Sequence, residues 1–257
     1  MTSELHIVFT GKGGVGKTTV AYHLAQYFAD ATCIDLDPLN HSLASYPALK
    51  AEKIALIEQG KFRRRPFDDL MKRVLDDNQV FIVDVGASTF QPLGEYIHEN
   101  RIDQFLAENG ITFTIHCVVA GAGVEQNTVN SLKTVLRSIP DAQVLVWFNH
   151  HYCRIAQTDQ IIKPLVKANP QLLGTIDLQH YDDDFFPAVI ERLHSDKLTY
   201  SEAVKRDDWF VLDRSRAHRI QEHVFEQLDR VFPEQNQPIE KTKITGTTDK
   251  VVELHDR

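Results

Sequence analysis

Short apolar runs alternate with longer amphipathic stretches along this chain. The runs at 5–10, 31–36, 79–85, 111–120, 142–149 and 171–178 carry few polar interruptions and predict strands buried on both faces. Between them, apolar residues recur every three or four positions over 17–29, 67–77, 92–108, 124–138 and 158–168, which predicts helices, with more at 184–194, 199–206 and 213–232. Strands alternating with helices predict an α/β fold, a doubly wound, mainly parallel sheet with helices on both faces. In the last predicted helix Ile220, Val224, Leu228 and Val231 share a face, with Phe225 and Phe232 on its flank. Glu222, Glu226 and Asp229 dilute its positive side, so it is expected to pack on the core and not on a membrane. The expected organisation is one domain over 1–232 and a flexible polar tail over 233–257.

The chemistry concentrates where the first run ends. Thr10-Gly11-Lys12-Gly13-Gly14-Val15-Gly16-Lys17-Thr18-Thr19 is a complete G-x-x-x-x-G-K-[ST] phosphate loop between a predicted strand and a predicted helix. Its glycines free the backbone for several N–H groups to converge on one anion, and the helix start adds unpaired donors and a positive dipole end. Gly11 to Thr19 are therefore the expected nucleotide contacts. Lys17 is expected on the β and γ phosphates, and the Thr18 hydroxyl on a magnesium ion accompanying a nucleoside triphosphate. The loop makes the chain a nucleoside triphosphate hydrolase by expectation.

Carboxylates at strand ends complete such a site. Asp35-Leu36-Asp37-Pro38 closes the second strand and Asp84 closes Val80-Phe81-Ile82-Val83-Asp84. Ligands of open α/β sheets bind beyond the carboxyl ends of the strands, where these acids fall. Asp84 suits coordination of magnesium through water, and Asp35 or Asp37 suits the same shell or the placing of the attacking water. The plainer alternative is that they are strand-end turn acids. Asn149 follows Val144-Leu145-Val146-Trp147-Phe148, and its amide offers a donor and an acceptor to a purine edge, unless it only forms a turn. No N-K-x-D guanine signature accompanies it, which favours adenine.

Composition narrows the class. The 257 residues carry 28 Lys and Arg against 36 Asp and Glu, a net charge of -8, which disfavours a surface coating nucleic acid everywhere. Two basic clusters, Lys61, Arg63, Arg64, Arg65, Lys72 and Arg73, and then Arg206, Arg214, Arg216 and Arg219, are interleaved with acids and predict solvated faces, with DNA a further candidate partner. Cys33, Cys117 and Cys153 form no C-x-x-C pair and suit reduced core positions of a cytoplasmic protein. His150-His151-Tyr152-Cys153 lacks a second ligand pair for zinc. The longest uncharged apolar stretch, Gly110 to Val124, is too short to span a bilayer, and the N-terminus lacks a basic region and so no signal peptide is expected.

The Lys12-bearing loop, the Asp35-Leu36-Asp37-Pro38 turn and the strand ending at Asp84 together resemble the deviant Walker A ATPases, the ParA and MinD group. That resemblance implies ATP with Mg2+, an ATP-dependent homodimer, and a Lys12 that reaches the partner's nucleotide in trans. Within the group, Asp84 to Leu93, Asp37-Pro38-Leu39-Asn40, Trp147-Phe148-Asn149 and Lys197 to Ala203 are similar to the TraL proteins of conjugative plasmids, over about Leu5 to Phe232. Two departures from the ParA and MinD pattern stand out. Leu39 replaces a polar residue after Asp-Pro, and Gly86-Ala87-Ser88 replaces a proline-containing switch.

The resemblance implies that Asn149 contacts the base, and that a dimerisation switch acts in plasmid DNA transfer with relaxosome or type IV secretion proteins as partners, recruited by one of them to the inner face of the membrane. Lys12, Lys17 and Asp37 are the implied catalytic residues, and Thr18, Asp35 and Asp84 the metal shell. A ParA-type partitioning ATPase, a MinD-like membrane-positioning ATPase and a metabolic ligase of the same fold are the alternatives.

Overall fold

The computed structural model describes residues 3–151, 153–156 and 158–233. Strand β1 (Glu4–Val8) leads through the phosphate loop into α1 (Lys17–Tyr27), and β2 (Thr32–Asp35) follows. Next come three two-residue strands, β3 (Glu52–Lys53), β4 (Ile57–Glu58) and β5 (Lys61–Phe62), and then α2 (Arg65–Asp76) and β6 (Val80–Asp84). The second half comprises α3 (Phe90–Glu99), α4 (Ile102–Glu108), β7 (Thr112–Ala120), α5 (Glu125–Ser138), β8 (Gln143–Asn149), α6 (Thr158–Ala168) and β9 (Leu172–Leu178). Helices α7 (Phe185–Ser195), α8 (Tyr200–Lys205) and α9 (Val211–Val231) complete the described chain.

Seven strands form one sheet in the order β3-β2-β6-β1-β7-β8-β9, with every neighbouring pair parallel. Parallel strands need a cover on both faces, and the side-chain period of two supplies two cores. Leu5 and Ile7 of β1, Phe81 and Val83 of β6, and Val144, Val146 and Phe148 of β8 enter one core. Val8, Ile82, Leu145 and Trp147 enter the other. Helices α2 to α6 cover the first face through residues such as Leu70, Leu93, Leu106, Leu132 and Ile162. Helices α1, α7, α8 and α9 cover the second through Leu24, Leu193, Ala203 and Leu228. The expected doubly wound sheet is therefore the observed one. Its central strands β1 and β6 present their carboxyl ends side by side, with Val8 opposite Asp84.

Three local features differ from expectation. The stretch 92–108 is two helices, because Arg101 takes a left-handed conformation (φ 49°) between them and the Asn100 side chain bonds back to the Tyr96 carbonyl at 2.8 Å. Strands β3, β4 and β5 fall in a polar stretch too short for any periodicity to mark, and β4 and β5 pair as a small antiparallel hairpin. Helix α9 starts two residues before the predicted 213. Its Ile220, Val224, Phe225 and Leu228 are buried, which confirms packing on the core. Among the described residues no helix is long and apolar enough to cross a membrane. The tail from residue 234 onward lies outside the described residues.

Candidate functional site

The phosphate loop is shaped by its glycines. Gly14 and Gly16 have φ of 72° and 98°, a region that L side chains rarely adopt. Gly16 caps α1 with no side-chain hydrogen bond, so the first N–H groups of that helix stay open toward the loop. Thr10 steadies the loop's entry by accepting from the Val118 N–H at 2.9 Å, and Ser131 of α5 accepts from the Gly11 N–H at 3.3 Å. The loop, Asp37, Asn40, Ser42 and Ser88 enclose a cavity of about 430 Å3. This is the concave, polar, donor-rich site that the sequence pattern calls for.

Charged side chains meet under that cavity. Lys17 is buried and its Nζ donates to the Lys12 carbonyl at 3.0 Å. Burial lowers its pKa, and Asp84 and Asp37 act in the opposite direction. The Thr18 hydroxyl donates to Asp84 Oδ2 at 2.7 Å, joining the helix start to the strand end. Asp84 is 1 % exposed, and its carboxyl is pushed up to about 7. Burial is the main cause, Asp35 and Asp37 add to it, and the Thr18 hydroxyl and Lys17 oppose it. A buried carboxylate crowded by other acids is the electrostatic setting that a divalent cation relieves.

The donor set near Asp84 fits magnesium, which takes oxygen ligands from one or two protein groups and completes its shell with water and phosphate. Thr18 and Asp84 are the groups that would hold it. Asp35 does not fit: its side chain is fully buried, Oδ1 accepts from the Asp37 N–H and Oδ2 from the Ala44 N–H, each at 3.0 Å. The metal role expected for Asp35 is corrected on this ground, since both of its oxygens clasp the loop after β2. Asp37 sits in that loop, with Oδ1 accepting from the N–H groups of Leu39 (2.9 Å) and Asn40 (3.2 Å). Among the described residues no group of three or more His, Cys, Asp or Glu side chains is arranged to hold a metal ion, so the zinc reading of 150–153 gains nothing.

Asn149 also departs from its expected role. It is 6 % exposed, its Nδ2 donates to the Val15 carbonyl at 2.9 Å, and its Oδ1 accepts from the His151 N–H at 3.1 Å. Both ends of the amide are engaged by the backbone, so the base-contact role is corrected to one of bracing the phosphate loop. Lys12 is half-buried in the loop, beside the same cavity.

Several site residues carried no sequence signal. Phe90, the first residue of α3, packs its ring on Phe9 at 4.4 Å between centroids and lies under Gly11. Tyr46 shares a 2.6 Å hydrogen bond with His194 Nδ1, tying the loop after β2 to α7. A second cavity of about 140 Å3 opens beside the first, sharing Gly16 and Thr19 and running between α1, α7, α8 and α9.

The basic clusters are largely neutralised. Arg63 pairs with Glu58, Arg64 with Glu99, Arg65 and Lys72 with Asp69, and Arg73 with Glu52 in a bidentate contact. In the second cluster Arg206 pairs with Asp208 and Arg216 with Asp213, and Arg219 lies over the Phe186 ring. The cysteines are free thiols, with Cys33 and Cys117 buried.

A family model described as the CobQ/CobB/MinD/ParA nucleotide binding domain matches residues 6–202. Two curated relatives, each named Protein TraL and each from Escherichia coli, are 27% and 26% identical over 235 residues, covering 88% of this chain and 98% of theirs. The MinD cell division protein of Aquifex aeolicus is similar in structure, with a TM-score of 0.52 at 14% identity over 88% of this chain and 96% of that one. The likeness to MinD concerns the fold alone.

Proposed function

We infer the function from one premise: the chain belongs to the CobQ/CobB/MinD/ParA nucleotide-binding family, and within it is TraL-like. The proposed activity is Mg2+-dependent ATP hydrolysis that drives a dimerisation switch in conjugative plasmid DNA transfer. One observation carries the nucleotide part: the 2.7 Å contact between Thr18 and Asp84, made beside Lys17 and at the edge of a cavity rimmed by open backbone N–H groups.

In this reading the N–H groups of Gly13 to Thr18 bind the phosphate oxygens, and Lys17 leaves the Lys12 carbonyl for the β and γ phosphates. Bound magnesium would neutralise phosphate charge from its place at Thr18 and Asp84. Asp37 places the attacking water, held by the turn it forms with Leu39 and Asn40. Lys12 stabilises charge on the transferred phosphoryl group of a partner subunit, as an arginine finger does. The role in DNA transfer rests on the TraL resemblance, with relaxosome or type IV secretion proteins as the proposed partners. Paired basic clusters give a DNA-coating ParA-type role less support.

Molar mass in solution tests the switch. With Mg2+ and ATP the Asp37→Ala protein is expected to dimerise, and with ADP to remain monomeric; adding Lys12→Ala should abolish the shift. Lys17→Ala should lose nucleotide binding. ATPase activity retained in the Lys17 variant would overturn the site, and a dimer that ignores Lys12 would overturn its action in trans.

A further inference from the structure

The second cavity is where a base attached to phosphates in the first would lie, since the two share Gly16 and Thr19. Its volume of about 140 Å3 is close to the roughly 150 Å3 of a cavity that holds one benzene ring, and its mouth is open toward the phosphate loop. One wall is flat and aromatic: His23 and Tyr200 stack with centroids 5.8 Å apart and planes 23° from parallel.

Distinguishing one purine from another requires a donor and an acceptor side by side, because the edges differ by an amino group against a carbonyl. A side-chain amide supplies both, and only two amides line this cavity, Asn149 and Gln179. Asn149 is committed at both ends to the backbone. Its nitrogen also lies 2.4 Å from where a Cβ on Gly16 would stand, so it is wedged against the loop turn. The remaining polar groups on the wall are single atoms, and several are engaged. The Tyr22 hydroxyl donates to the Leu198 carbonyl at 2.8 Å, and His194 Nδ1 bonds the Tyr46 hydroxyl. Gln179, exposed at the end of β9, makes no hydrogen bond to the described residues.

We propose that Gln179 is the specificity-determining residue for the base, pairing its amide with the amino and ring-nitrogen edge of adenine, while Asn149 is a positioning residue that sets the phosphate loop. This rests on the ATP reading above. It separates two properties usually measured together, preference among bases and affinity for phosphate.

Calorimetric titration with ATP, ITP and inorganic tripolyphosphate, each with Mg2+, tests it. ITP replaces the adenine amino group by a carbonyl. The wild-type protein is expected to favour ATP over ITP by about tenfold or more, the scale of one buried hydrogen-bond pair. Gln179→Leu, a change at an exposed position, should bring the two within about twofold and leave tripolyphosphate affinity unchanged. Asn149→Ala should weaken all three ligands by a common factor. Loss of the ATP preference in the Asn149 variant with its retention in the Gln179 variant would overturn the assignment. Equal wild-type affinity for ATP and ITP would also overturn it, while leaving the phosphate site standing. Failure of the wild-type protein to bind any of the three would remove the ATP reading itself.

Discussion

The ring of Phe90 occupies the space that any side chain on Gly11 would need: a Cβ built there would lie 2.8 Å from Phe90 Cδ1. Gly11 is the residue before Lys12, and Phe90 opens the helix that follows Asp84, so the phosphate loop and the segment after β6 are in direct contact. Gly11 does not have a positive φ, hence backbone freedom is not what requires glycine there. Gly11→Ala is therefore expected to weaken nucleotide binding at least tenfold, and Phe90→Leu in the same protein to restore most of it by making room. Equilibrium binding of a fluorescent ATP analogue to the single and double variants checks this. A double variant no better than Gly11→Ala would show that the ring is not the obstacle.

A second close approach joins the loops after β2 and β6. A Cβ on Gly86 would lie 2.8 Å from Asp37 Cγ and 3.0 Å from Asp37 Cα, so alanine there must displace both the carboxylate and its backbone. The φ of Gly86 is ordinary at -61°, and the cost of Gly86→Ala is thus steric displacement of Asp37, not backbone strain. Under the proposed role of Asp37, turnover should fall by about 10- to 100-fold, the scale of misplacing a reacting group by an ångström, with ATP affinity changed less than threefold. Steady-state kinetics beside calorimetric binding separates the two. Turnover close to wild type would remove Asp37 from the hydrolytic step.

Tyr46 anchors the other end of the same loop. Its hydroxyl shares a 2.6 Å hydrogen bond with His194 Nδ1, and its ring packs on Tyr22 at 5.0 Å. Tyr46→Phe keeps the ring and removes the hydrogen bond, at an expected cost of about 1 kcal/mol in folding stability. Hydrogen exchange should then quicken between 38 and 46 and stay unchanged in β1 and β6. Uniform quickening over the whole sheet would mean that the hydroxyl supports the fold at large and not this loop.

What could be read from the sequence was what is encoded locally. Glycines and lysines from Gly11 to Lys17 specify their own loop, and Asp84 follows directly from an apolar strand. The order of strands and the two-sided core followed from alternating patterns, though not the order of β2, β6 and β1 in space. The roles of Asp35 and Asn149 were not legible because their partners are distant: the Ala44 N–H lies nine residues on, and the Val15 carbonyl 134 residues back. An acid at a strand end looks the same in sequence whether water, a cation or a backbone N–H satisfies it. Likewise the helix break at Arg101 depends on one backbone angle, and no Gly or Pro marks it.

The buried histidines give the fold a marked pH dependence. Burial pushes His23 down to about 3 and His194 to about 4, with neighbouring positive or titratable groups assisting, and His116 lies well below its ordinary range because of burial and His6. His116 is also committed by geometry. Trp147 Nε1–H donates to its Nδ1 at 3.0 Å, leaving its proton on Nε2 to face His6 Nδ1 at 3.0 Å. In the unfolded chain each of these rings titrates near 6.5. From pH 6.5 down to about 4 the unfolded state therefore binds protons that the folded state refuses, and stability falls as pH falls, by up to about 1.4 kcal/mol per pH unit for each ring. Asp84 acts with the opposite sign, because a carboxyl raised to about 7 takes its proton first in the folded state, but it is one group against three. Urea midpoints should thus drop clearly between pH 7 and pH 5. His23→Phe keeps a ring between Trp147 and Tyr200, against which His23 stacks at 6.3 and 5.8 Å, and removes the titration. Its slope of stability against pH should be shallower by about one proton. An unchanged slope would show that His23 does not enter the folded protein as a neutral ring.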